Sequence, residues 1–163
     1  MPIEEAWILM KMSKSTRHSK IVGDFGEALV LYWLSKYGAE CARVDHTGID
    51  LIAKMPNGKR PLGISVKSRT RSQGTEHDTV NISIDNFEKA QTACLAFGCI
   101  PYFAIVIDAG DVVRCFLLSM KHLLKVSPPI KKVLYWRMKD EDINRYKNDK
   151  NIVLIELHSS TKW

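Results

Sequence analysis

Between Gly48 and Arg69 the chain holds two short β-like runs separated by Pro56-Asn57-Gly58-Lys59, and few architectures accept what surrounds that unit. Asn-Gly ahead of a return strand is a strong hairpin signal, because both residues tolerate the positive φ that a tight reversal needs. A third run precedes the pair after a break at His46-Thr47-Gly48, so the strands read as 40–46, 49–55 and 61–68. Upstream, residues 21–37 are rich in Ala, Leu and aromatics, hold no proline and meet Gly38, which suits a helix with a glycine stop. Downstream come a polar loop over 68–78, a short strand at 80–84, a helix at 85–97 that Asp85 could cap, and apolar strands at 100–107 and 112–118. Helices and strands in this order make an α/β domain.

The first helix carries an anomaly. Val22, Phe25, Leu29 and Trp33 form one apolar stripe, and Gly23, Val30, Leu31 and Leu34 form another, so most of the helix is expected to be buried. Glu27 lies within the second stripe. A carboxylate there costs several kcal/mol unless it is paired, metal-bound or open to a cleft, which makes Glu27 a candidate on physical grounds alone.

A chain of 163 residues, 45% hydrophobic, is the size of one domain with a real core. We read residues 1–163 as one unit: a core at about 20–118, a polar basic arm over 1–20 and an extension over 119–163. In the extension a short helix at 120–125 leads to Pro128-Pro129, a charged stretch at 137–148 and a last strand at 152–157, folded onto the domain edge. A formal charge of +6 and a pI near 9.2 favour polyanionic partners, although simple solubility explains such values in many proteins. Cys41, Cys94, Cys99 and Cys115 form no CxxC pair and have no histidines at zinc spacing, so free, partly buried thiols are expected. The sequence opens without the pattern of a signal peptide and contains no run of apolar residues long enough to span a membrane, so a reducing cytoplasm is the default.

Glu27 on the first helix, Gly48-Ile49-Asp50 at a strand start, and Ile64-Ser65-Val66-Lys67 on the return strand form an ordered set. In that order the chain resembles the PD-(D/E)xK nuclease superfamily, and within it the archaeal-type Holliday junction resolvases and related restriction-like endonucleases. The resemblance covers about residues 20–107 and implies a restriction endonuclease-like mixed central β-sheet flanked by helices. It implies metal-dependent hydrolysis of DNA phosphodiester bonds, with Mg²⁺ or Mn²⁺ held by Asp50 and Glu27 and with Lys67 beside the developing charge of the transition state. It also leaves room for a homodimer that cuts two strands.

One position departs from the pattern. Ser65 stands where the family has a second acidic ligand, and a neutral hydroxyl is a weaker ligand for a hard cation. Glu27 could take over the role, Gln73 or Glu76 could swing in, or the site is inactive and retained for binding. A nuclease-fold nucleic-acid-binding module, or a protein-interaction domain sharing the fold, are therefore the alternatives.

Taken singly, each residue has a plainer reading. Asp50 could be a turn residue, Lys67 and Arg69 the solvated face of an edge strand, and Glu27 a partner of Arg43. Arg43, Arg69, Arg71 and Gln73 are the candidate nucleic-acid contacts, with Lys54, Lys59 and Arg60 as further basic residues near the cleft. His46 and His77 read as surface histidines. Trp7, Trp136 and Trp163 are candidates to pack the termini against the domain or a second copy, and the strand at 102–107 could be central or interfacial.

Overall fold

A computed structural model describes residues 13–159; Trp7, Trp163 and most of the basic arm lie outside them. Helix α1 runs from His18 to Lys36, three residues earlier than its hydrophobic pattern suggests. The end of the basic arm is thereby ordered: a His18 ring nitrogen lies 3.2 Å from Thr70 Oγ1. Gly38 (φ 85°) ends the helix as expected.

Strands β1 (Glu40–His46), β2 (Ile49–Lys54), β3 (Leu62–Thr70), β5 (Ile100–Asp108), β6 (Val112–Ser119) and β8 (Val153–His158) form one six-stranded sheet in the order β1-β2-β3-β5-β6-β8. Among the described residues only β3 and β5 pair in parallel, and β4 (Val80–Ser83) with helix α2 (Asp85–Phe97) lies in the connection between them. Strand β5 is thus central, which settles the position of residues 102–107. Asp85 does not cap α2; Ile84 holds the N-cap position, and Asp85 and Glu88 instead place carboxylates in the first turn, where the helix dipole favours them.

Alternation along the strands gives the sheet two covered faces. On one, α1 presents Val30 and Leu34 to Leu51, Ile64, Ala104, Val106 and Leu117. Val30 and Leu34 are buried, while of the other stripe Leu29 and Trp33 pack partly against the same core and Phe25 is 44% exposed. Gly26 sits directly against Ser68 and Val66, a closeness that any side chain would prevent.

The other face carries α2, together with the C-terminal elements α3 (Met120–Val126), β7 (Val133–Trp136) and α4 (Asp140–Lys147). Here the structure departs from an extension lying on the domain edge. Strand β8 does add to the edge of the sheet, but β7 pairs with β4 as a separate two-stranded sheet and brings Leu134, Trp136 and Met138 into the main core. The charged stretch at 137–148 hides Ile143 and Tyr146 one helical turn apart, and the Tyr146 ring stacks on Trp136 at 3.9 Å. Side chains of this size contribute on the order of 2–3 kcal/mol each when fully buried. All four cysteines are free, and Cys94, Cys99 and Cys115 are buried. Burial pushes the Cys94 thiol up to about 11 and the Cys115 thiol to about 12, so both remain protonated packing groups.

Candidate active site

The candidate site begins where two strands part. Strand β2 pairs with β3 only through Leu51–Ile64, Ile52–Gly63 and Ala53–Leu62, whereas β3 continues to Thr70 along β5. Just past the last pair, the Val66 N–H donates to Asp50 Oδ2 at 2.6 Å, so a side-chain carboxylate takes the place of a ladder partner. A notch opens between β2 and β3 with Asp50 at its base.

Two further groups converge there from opposite faces. Glu27 approaches from α1, beside the Gly26 contact with Ser68 and Val66. Burial, and then the charge of Asp50, raise its carboxyl above the ordinary value of 4.5, while Arg43 pulls the other way. Lys67 lies two residues beyond Ser65 on the face that carries α2. Burial lowers its pKa, the nearby Asp50 opposes that shift, and Arg69 and Lys89 add to it. Among the described residues, neither Glu27 nor Asp50 has a lysine, arginine or histidine nitrogen within ion-pair distance. The expected Glu27–Arg43 pair is therefore a longer-range influence without contact.

Two carboxylates that repel one another and lack a contacting cation suit a hard divalent ion, since Mg²⁺ is commonly held by one or two carboxylates with waters and substrate phosphate completing its shell. No group of three or more His, Cys, Asp or Glu side chains that could hold a metal occurs among the described residues. Ser65 adds little, because it is only 2% exposed on the strand face packed under α2. Gln73 and Glu76 do not swing in. Glu76 accepts from the Gly74 N–H at 2.7 Å, and both residues line a separate hollow with Asp111, Arg114 and Asp140 at the β5–β6 turn.

The basic residues divide. Arg43 pairs across the strands with Leu51 next to Asp50, and Arg69 is exposed two residues beyond Lys67. Arg71 is committed elsewhere: Nη2 donates to the carbonyls of Asp78 (3.3 Å) and Thr79 (3.0 Å), pinning the loop that follows β3. Lys54, Lys59 and Arg60 are at the far end of the sheet. Lys54 Nζ binds the Gly58 and Lys59 carbonyls, and Arg60 binds those of Gly98 and Cys99. Exposed His46 and His77 bond backbone carbonyls of Thr47 and Met138. Sequence reasoning missed Lys89, on the exposed side of α2; a lysine in a polar helix face carries no local signal that its charge is felt at Lys67.

The raised Glu27 carboxyl makes a testable claim about stability. A folded-state pKa above the unfolded one means that the native chain binds the proton more tightly. Stability then falls as pH climbs from 4.5 through the folded pKa, and stays lower above it. Glu27→Gln removes that loss, so the variant should be more stable than the native chain at pH 7 and equal to it near pH 4. A lower melting midpoint for the variant at pH 7 would show that Glu27 is held by a partner.

The fold is a mixed α/β sheet flanked by helices, of the restriction endonuclease-like type. Among solved structures, the chain is similar to Hjc, a Holliday junction resolvase from the archaeal hyperthermophile Archaeoglobus fulgidus, with TM-score 0.53 and 21% identity over 76% of this chain and 88% of that one. No family model matches the sequence, and neither does any curated protein. None of the described helices is long and apolar enough to cross a membrane.

Proposed function

We propose that the protein is a metal-dependent endonuclease that hydrolyses DNA phosphodiester bonds in the β2–β3 notch. The observation that carries this reading is the meeting of Glu27, Asp50 and Lys67 at one splayed strand pair, in a fold shared with a junction resolvase. A divalent cation, Mg²⁺ or Mn²⁺, would be held by Asp50 and Glu27 and would neutralise the scissile phosphate and acidify an attacking water. Lys67, half-buried and not paired in contact with any carboxylate, offers a fixed ammonium to the charge that develops on the phosphate oxygens. Arg43 on β1 and Arg69 on β3, to either side of the notch, suit phosphates to each side of the cut.

The test is incubation with labelled branched, duplex and single-stranded DNA in Mg²⁺ or Mn²⁺. Cutting by the native chain establishes the reading. Binding without cutting turns it to the inactive binding module, which the buried Ser65 favours, and neither points to a protein-interaction domain.

Ser65→Glu would supply the family's missing carboxylate, but the burial of Ser65 changes what to expect of it. Without a cation the added group is a charge in a packed site, and the variant should lose about 3 kcal/mol. Millimolar Mn²⁺ should restore part of the melting midpoint, and do so more than in the native chain. No cation-dependent gain in melting experiments would count against the notch as a metal site.

A further inference from the structure

Away from the notch, β7 and α4 wall a second hollow of about 580 Å³. Its lining includes Arg137, Arg145 and Tyr135 over a floor of Pro128 and Ile130, and it contains no acidic residue. A smaller adjoining hollow shares Thr79 and Arg137 with it and brings in Glu141 and Asp142, so the acid-free lining belongs to the side of Tyr135 and Arg145.

The three side chains are presented in different ways. Tyr135 stands on the outward side of the β4–β7 sheet, opposite Asn81, while its neighbours Leu134 and Trp136 point into the core. It is 38% exposed, and no other ring stacks on it among the described residues. Arg145 is preset: Nη2 donates to Asp142 Oδ1 at 2.9 Å, and the guanidinium lies 5.4 Å from the Tyr146 ring centroid. The Arg137 side chain has no hydrogen-bond or ion-pair partner among the described residues; only its backbone carbonyl is used, accepting from Tyr146 Oη at 3.1 Å. An aromatic face beside one held and one uncommitted guanidinium matches an anionic chain that bears planar rings.

We propose that this hollow binds unpaired nucleic acid, with phosphates on Arg137 and Arg145 and a base stacked on Tyr135. In a duplex the base faces are already stacked on one another, so a single strand or an opened branch is the better occupant. An acidic peptide would satisfy the arginines but would leave the ring and the apolar floor without a partner. The proposal takes its partner class from the function proposed above, and it adds a strand-holding surface one loop away from Lys67. That loop leaves the end of β3, is pinned by Arg71, and ends at Thr79 in the wall of the hollow.

Fluorescence anisotropy of labelled oligo(dT) with the full chain in EDTA tests the idea without any cutting. Tyr135→Ala should weaken binding about fivefold to a hundredfold, and Tyr135→Phe should keep it, since stacking needs the ring and not the hydroxyl. Arg137→Ala should lower the slope of log affinity against log salt by about 0.7, the share of one phosphate contact. Lys36→Ala, on the opposite face of the sheet, should behave as the native chain. Unchanged binding in both Tyr135→Ala and Arg137→Ala, loss of binding in Tyr135→Phe, or displacement by poly-glutamate as readily as by unlabelled oligo(dT) would each overturn the proposal. Cutting in Mg²⁺ is read separately: its absence overturns the endonuclease and leaves a positive anisotropy result standing. Cutting retained beside unaltered anisotropy overturns the strand-binding hollow alone.

Discussion

Asp50→Asn is expected to reduce metal-dependent cutting on the order of a thousandfold or more while keeping the melting midpoint within a few degrees of the native chain. The two halves of that statement come from two duties of one side chain. As an anion, Asp50 would be half of the proposed donor pair for a cation, and its charge supports that of Lys67. As an acceptor, it satisfies the Val66 N–H at the point where β2 and β3 separate. Asparagine keeps an oxygen to accept that hydrogen bond and loses the charge. Asp50→Ala loses both and leaves a backbone donor without its partner, a defect of about 1–3 kcal/mol, so it is not the neutral control that it resembles on paper. Single-turnover cleavage and thermal melting of the two variants separate the roles. Full cutting by Asp50→Asn would sink the site assignment.

Gly48→Ala should be among the most destabilising single substitutions outside the core, by about 3–5 kcal/mol in chemical denaturation. Gly48 has φ 104°, where a side chain is strained. Its α-carbon also faces the backbone carbonyl of Lys89 so closely that an added Cβ would overlap it. A flexible side chain could turn aside, but a helix backbone cannot without moving α2. Since α2 packs over the strand start that delivers Asp50, the substitution should also weaken cation binding in whatever fraction remains folded. A cost below about 1 kcal/mol would mean that α2 rides loosely over the site.

The order of helices and strands was legible because each leaves a local trace. The run of alanine and leucine to Gly38, the Asn-Gly return and the continuous apolar run of β5 are all within a few residues of chain. The grouping of Glu27, Asp50 and Lys67 was legible through their order along a recognised pattern. Ser65 shows the limit, since strand alternation correctly set it on the face of Lys67 but said nothing of the helix packed over that face. Arg71 and Arg60 read as free cations because a sequence does not show which carbonyls a loop turns inward. Strand β7 was missed for a related reason. Four residues, Val133–Trp136, paired with four others some fifty positions earlier, leave a pattern too short to stand out from the charge around them.

The placement of β7, α4 and β8 has a consequence for the order in which the molecule can be completed during synthesis. Helix α1 and strands β1, β2, β3 and β5 lie no later than Asp108, and the buried residues of the face they share add only Cys115 and Leu117 of β6, so that half can consolidate while the rest of the chain is still being made. The opposite wall depends on Trp136 and Tyr146, and the outer edge of β6 on a strand ending at His158. Until those two rings arrive, Phe116 lacks the partners that pack on it, whereas Phe103 already has Phe87 of α2 against it. The nascent protein thus passes through a stage with the half that holds Glu27, Asp50 and Lys67 formed and an oily flank exposed, when a chaperone has most to offer it.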